Sequence, residues 1–328
     1  MKKPLKVFII FLLSFLTLML ALITFISASP YPTAWIVRFA FGTTSYTTHE
    51  DLNETKENVL IIRDIKYPSK HKNNTLDIIY PKDIDQKKYP VIYWVHGGAF
   101  VAGDKTDVES YMIMLANNGF VVVNINYELA PSAKYPTPLI QLGKTYQYIN
   151  NSSNYSFIDK DIIYFGGDSA GAHIAAKFIT IQTNPNYLSL LQSDPTTKAL
   201  KQTVEKPITG AILFAGPYDF NALSNLVKSR AESNGNKVLT SIISFIAKGI
   251  GQGYLGTLNW KNNPYYNVLS ITNYVSNDFP KTFITDGRTF SFEEHSKALE
   301  RELLSLGVTV KSVYYHYDLT HEYQFNSY

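Results

Sequence analysis

Gly167-Asp168-Ser169-Ala170-Gly171 sets a serine between two glycines, just after the apolar run Ile162-Ile163-Tyr164-Phe165 and just before the helix-compatible Ala172-His173-Ile174-Ala175-Ala176. A G-x-S-x-G pattern at a strand-to-helix turn is a nucleophile elbow, because flanking glycines permit the cramped backbone that lifts the hydroxyl above the sheet. The chemistry such a serine does is acyl transfer through a covalent intermediate. Ala170 opens the helix, so its amide has no intrahelical acceptor and points where an oxyanion would form. A second glycine turn, His96-Gly97-Gly98-Ala99-Phe100, follows Tyr93-Trp94-Val95 and lets further amides approach the same oxygen. His96 precedes those donors and braces the loop.

The hydroxyl needs a base, expected as a histidine after the last strand in the chain order Ser, acid, His. Tyr314-Tyr315-His316-Tyr317-Asp318-Leu319-Thr320-His321-Glu322-Tyr323 offers two. His316 continues the alternation of Val313 to Tyr315 and reads as a strand residue, whereas His321 lies beyond it in a loop and is the expected base. His173 falls one helical turn past Ser169 and packs within the elbow helix; His49, His71 and His295 read as surface histidines. For the acid that orients the imidazole the choice is Asp286, at the tip of Phe283-Ile284-Thr285-Asp286. Glu293 and Glu294 stay open as alternatives, although acids opening a helix also complement its dipole. Asp168 belongs to the elbow itself, and Asp318 to the loop before His321.

Taken together, His96-Gly97-Gly98-Ala99-Phe100, Tyr127-Glu128-Leu129-Ala130-Pro131 and Gly167-Asp168-Ser169-Ala170-Gly171 resemble the hormone-sensitive-lipase-type carboxylesterases of the α/β-hydrolase superfamily, over roughly residues 75 to 325. The resemblance implies a carboxylesterase acting on short- to medium-chain acyl esters, with no metal or organic cofactor. By matching positions it assigns the oxyanion donors to Gly98, Ala99 and Ala170, and puts the base in the loop holding His321. The chain departs from the family at the acid. There an Asp usually follows the strand by a few residues, with Pro and an apolar residue after it; here that position falls on Thr289.

These groups need a frame to converge. Val91-Ile92-Tyr93-Trp94-Val95, Phe120 to Ile125, Ile162 to Phe165, Ile208 to Phe214, Lys281 to Thr285 and Val310 to Tyr315 are short apolar runs suited to strands covered on both faces. Val108 to Asn117, Leu139 to Ile149, Ala170 to Ile181 and Glu293 to Leu306 have helical spacing. Strand and helix in alternation predict an α/β fold with a mostly parallel doubly wound sheet, helices on both faces, and reactive groups at the carboxyl ends of the strands. One domain is expected over residues 59–328. Residues 221–263 interrupt the alternation and read as a cap-like insertion over the strand tips or as a decorative helix pair.

Residues 1–30 stand apart. Lys2, Lys3 and Lys6 precede an uncharged run from Val7 to Ile26, long enough as a helix to cross the bilayer core. Signal-peptide apolar regions are shorter, and Pro30 follows the candidate cleavage run Ser27-Ala28-Ser29 poorly, so an uncleaved signal anchor is expected over a removed signal. The basic flank then keeps the N-terminus in the cytoplasm and the catalytic domain outside it; secretion after cleavage is the alternative. Residues 31–58 read as a juxtamembrane linker or a lid, with Tyr31 and Trp35 at the lipid headgroups or over the substrate.

A net charge of +3 in 328 residues gives no electrostatic case for nucleic acid as a partner. The absence of cysteine excludes disulfides, thiolate-ligated zinc and a thiol nucleophile. The same serine and histidine would also suit an amidase, deformylase or peptidase, since fold and triad leave the leaving group open. A catalytically inactive surface module that binds a ligand is the reading from another class, and an interfacial lipase a further one.

Overall fold

The computed structural model describes residues 3–41, 52–83, 88–223, 226, 229, 237–260, 263–289 and 291–325. His49 lies outside the described residues. Eight strands form one sheet: β1 (Val59–Lys66), β2 (Thr75–Pro81), β3 (Tyr89–Val95), β4 (Val121–Ile125), β5 (Ile158–Asp168), β6 (Gly210–Phe214), β7 (Thr282–Asp286) and β8 (Val310–Tyr314). Their spatial order is β1-β2-β4-β3-β5-β6-β7-β8. β1 and β2 run antiparallel to their neighbours, and every pairing from β4 through β8 is parallel.

The helices are α1 (Lys3–Ala28), α2 (Tyr31–Phe41), α3 (Leu52–Glu57), α4 (Glu109–Asn117), α5 (Thr137–Asn151), α6 (Ala170–Thr183), α7 (Pro185–Gln192), α8 (Lys237–Leu255), α9 (Tyr265–Leu269) and α10 (Glu293–Ser305). Helices α5 and α6 cover one face of the sheet and α4 the other, as the apolar runs require. Successive strand residues point to opposite faces, so Val91, Tyr93 and Val95 pack in one core with Leu139 and Leu142 of α5 and Phe178 of α6. Ile92 and Trp94 turn the other way, onto Met112 and Ala116 of α4. A strand buried on both sides has no polar positions to alternate, which is why these segments read as unbroken apolar runs.

Three readings of single histidines differ from the structure. β8 ends at Tyr314, and His316 sits past it in an exposed bend, its carbonyl accepting from Arg288 Nη1 at 3.0 Å. His295 is not a surface residue: it is 3% exposed, because it shares the inward stripe of α10 with Leu299 and Leu303 at four-residue spacing. Its Nδ1 accepts the Asp219 amide at 3.2 Å. His71 is half-buried rather than fully at the surface.

Within helix α1 the 25-residue span Pro4–Ala28, with none of its apolar side chains buried, is long and apolar enough to cross a membrane. At 1.5 Å per residue that length is about 38 Å, against a hydrocarbon core of about 30 Å.

Candidate active site

β5 ends at Asp168 and α6 begins at Ala170, so Ser169 is the whole of the turn between them. Its backbone is forced to φ 49° and ψ −117°, a conformation that costs a non-glycine residue on the order of 1–3 kcal/mol. The surroundings hold it there. The Ser169 amide donates to Phe214 O at 2.7 Å, and its carbonyl accepts the His173 amide at 3.2 Å. A Cβ on Gly171 would stand 1.9 Å from Val95 O, so only glycine lets the elbow helix come this close to β3. His173 is buried beneath the elbow, its Nδ1 within 3.0 Å of Pro217 O, and burial pulls its pKa down to about 3, keeping it neutral.

His321 Nε2 lies 3.0 Å from Ser169 Oγ, hydrogen-bond distance for proton transfer from the hydroxyl. The two residues are 152 positions apart, so this contact is made by the fold alone. The loop bearing His321 is tied to the end of β7: the amides of Arg288 and Thr289 both donate to Leu319 O at 2.9 Å, and Thr289 bridges Thr320. Phe292 stands edge-on to the imidazole, ring centroids 5.4 Å apart, and fixes its plane.

The glycine turn after β3 faces the same hydroxyl. Gly98, Ala99 and Phe100 all have positive φ, at 100°, 53° and 65°. A Cβ at Gly98 would meet Ala102 O at 2.1 Å, so the turn can close only on glycine. Among the described residues neither Gly98 nor Ala99 gives its amide to a backbone acceptor, which leaves both donors for a bound oxygen. Tyr127 fixes the loop from below, its hydroxyl 3.2 Å from His96 O and 3.3 Å from Gly97 O, while its ring stacks on His96 at 4.6 Å. Burial draws the His96 pKa to about 4, so this ring stays uncharged. Gly98, Ala99, Ser169 and His321 line one cleft of about 240 Å³, closed on its other sides by Phe292 and by Ile250 of α8.

Asp286 is at the tip of β7, 1% exposed. Its Oδ2 accepts the Phe292 amide at 2.9 Å and lies 3.5 Å from Ser296 Oγ. Oδ1 is buried and has no hydrogen-bond partner among the described residues. Phe292 contacts both residues, its amide on the Asp286 carboxyl and its ring against the His321 imidazole. Burial pushes the Asp286 pKa to about 8, the neighbouring amides of Phe292 and Gly287 offsetting only part. Glu293 pairs with Lys297 on its own helix, and Glu294 is exposed. Asp318 is exposed as well.

One acidic pair escaped sequence reasoning. Asp168 is fully enclosed, accepting from Trp94 Nε1 at 2.9 Å and from the Gly97 amide at 2.7 Å. Burial and the adjacent Glu322 carboxyl push Asp168 well above the ordinary carboxylate range. Glu322 in turn has φ 57° and brings Oε1 to 3.7 Å from His321 Nε2. Its signal in the sequence was its position beside the base, and that position alone does not foretell a side chain folded inward.

A family model described as BD-FAE matches residues 76–303, well over half of the chain. The chain belongs to the BD-FAE family. Among curated relatives it is 27% identical to the probable carboxylic ester hydrolase LipM of Mycobacterium tuberculosis over 164 residues, 49% of this chain and 36% of that one. It is 24% identical to esterase LipQ of the same organism over 228 residues, 68% of this chain and 48% of that one. An acetyl esterase of Salmonella schwarzengrund is 33% identical over 86 residues, 26% of this chain and 27% of that one. Each of these matches spans less than half of the relative's length. Two solved structures share the fold. Inhibited esterase B from Lactobacillus rhamnosis aligns at TM-score 0.65 and 20% identity over 82% of this chain and 81% of its own. The Pyrobaculum calidifontis esterase aligns at 0.60 and 17% over 84% and 82%. The fold is therefore that of the α/β-hydrolases, and the resemblance to hormone-sensitive-lipase-type carboxylesterases holds.

Proposed function

We propose that this protein is a serine carboxylic ester hydrolase cleaving short- to medium-chain acyl esters. Ser169 attacks the ester carbonyl while His321 removes its proton; the Gly98, Ala99 and Ala170 amides hold the oxyanion; the alcohol leaves with the proton from His321. Water, activated by the same imidazole, then releases the acyl group from Ser169. Asp286 is the acid that stabilises the charged imidazole. The observation that carries the reading is the 3.0 Å approach of His321 Nε2 to a serine oxygen held on a strained turn. Its relatives' printed activities support an ester as the substrate. A cleft of about 240 Å³ lies below the usual size of drug-sized ligand sites, which favours a short acyl group.

A fluorophosphonate probe tests this directly. Mass spectrometry should find one adduct, on Ser169, growing in step with the loss of p-nitrophenyl butyrate hydrolysis. A protein that stays unlabelled, or labelled elsewhere with activity gone, is not this enzyme.

The proposal extends to location. α1 anchors the chain with Lys2, Lys3 and Lys6 on the cytoplasmic side, so residues 31–328 lie outside the cytoplasm. Protease added to intact cells should degrade the catalytic domain; full protection in cells with an unsealed outer layer would reverse the orientation.

A further inference from the structure

Helix α2 follows α1 after two residues, Ser29 and Pro30, so Ala28 and Tyr31 can stand at most about 11 Å apart. α2 therefore begins within that distance of the end of α1. α2 is docked on the catalytic domain through one face only: Thr33, Ala34 and Val37 are buried, Thr33 and Val37 against Gly249 of α8 and Ala34 against Gly253. The opposite face is apolar and uncovered. It presents Tyr31, Trp35, Ile36 and Phe39, with Trp35 50% and Phe39 91% exposed. On α8, Val238, Ile242 and Phe245 are exposed at i, i+4 and i+7, on the stripe that continues to Gly249 and so on the side of α8 that meets the docked face of α2.

A soluble domain rarely leaves so many large apolar side chains together without an occupant. Chain continuity names one. Charge agrees with it, since α2 and α8 carry Arg38, Lys237 and Lys248 and no Asp or Glu. Arg38 stands over the Trp35 ring at 5.1 Å, the aromatic and basic pairing that suits a headgroup layer.

We propose that the outer face of α2 rests in the interfacial layer of the bilayer that α1 crosses, so that the catalytic domain is held against the membrane. This rests on the reading of α1 as a membrane anchor. The docked side of the same helix packs directly on residues of the cleft wall. Val37 of α2 packs in one apolar cluster with Val101 and Ala102, joined by the oxyanion-loop residue Ala99 and by Ile250, and Ile250 also lines the cleft. Substrates that partition into the bilayer surface are then delivered at the edge of the cap.

The test uses the full chain in vesicles whose phospholipids are brominated near the top of the acyl chains, with tryptophan emission as the readout. Three tryptophans are present, and Trp94 is buried in the core. The wild-type protein should be quenched, and Trp35→Phe should lose most of that quenching while Trp260→Phe keeps it. Equal quenching in wild type and Trp35→Phe, or none in either, overturns the proposal. Because the chain has no cysteine, Phe39→Cys adds a second readout: efficient disulfide dimerisation without lipid quenching assigns the face to a second copy and also overturns it. Carbonate washing separates the underlying reading. A chain that stays with the membrane but is not quenched at Trp35 refutes the docked face and keeps the anchor. A chain that washes off, yet is quenched at Trp35 when returned to vesicles, refutes the anchor and keeps the docked face.

Discussion

Replacing Ser169 with alanine is expected to lower kcat on p-nitrophenyl butyrate by a factor on the order of 10⁶, with KM and the unfolding transition little changed. The size follows from what is lost. Without Oγ there is no acyl-enzyme, and the rate that remains comes from substrate binding and from amides still able to hold an oxyanion. Stability should survive because the hydroxyl faces the cleft and the elbow is held by backbone contacts, the Ser169 amide on Phe214 O and the glycine side of the turn against Val95. The measurement to pair with it is His321→Ala and the double variant. If the two side chains act as one unit, the double variant is about as slow as either single one, since a base without its nucleophile has nothing to activate. Additive losses, or a Ser169→Ala protein that still turns over, would end the assignment.

The contact between Ser169 and His321 was legible because each sits in a local pattern that sequence alone displays: a glycine-flanked serine after an apolar run, and a histidine past the last strand. The central strands were legible for the same reason, their burial on both faces leaving unbroken runs. β1 and β2 were not. β1 reads Val-Leu-Ile-Ile-Arg-Asp-Ile-Lys and kinks where Asp64 takes φ 53°, while β2 carries Asp77, fully buried and paired with Lys105 Nζ at 2.9 Å. A charge inside a strand breaks the apolar run, and its partner 28 residues on is a tertiary fact. His295 fails differently: its stripe with Leu299 and Leu303 was present in the sequence, but a titratable side chain is assigned to solvent by default. The Asp168 and Glu322 pair is the least legible of all, since it depends on a left-handed residue after the base and on a carboxyl threaded between two glycine turns.

Asp286→Asn is the second large effect, expected to cut kcat at neutral pH by roughly 10²–10⁴, whereas Glu293→Gln and Glu294→Gln stay near wild type. The acid must serve Nδ1, because Nε2 already faces Ser169 Oγ. Glu322 approaches the wrong nitrogen, Oε1 standing 3.7 Å from Nε2, so its carboxyl competes with the serine rather than orienting the ring. Glu293 is engaged by Lys297 and Glu294 by solvent. Asp286 alone combines burial, a free Oδ1 and a place on the strand end to which the loop before His321 is tied. Burial that raises its pKa to about 8 adds a pH signature. A carboxyl whose folded pKa lies above its unfolded one, near 3.9, contributes stability that is fully present below that lower value and lost as pH rises through about 8. Activity should move the opposite way, rising as Asp286 loses its proton and can support a charged imidazole. Urea unfolding across that window should therefore show wild-type stability falling with pH and a flatter line for Asp286→Asn, which has no proton to lose. An Asp286→Asn protein with undiminished kcat and the same pH dependence of unfolding as wild type would take the acid role away from this residue.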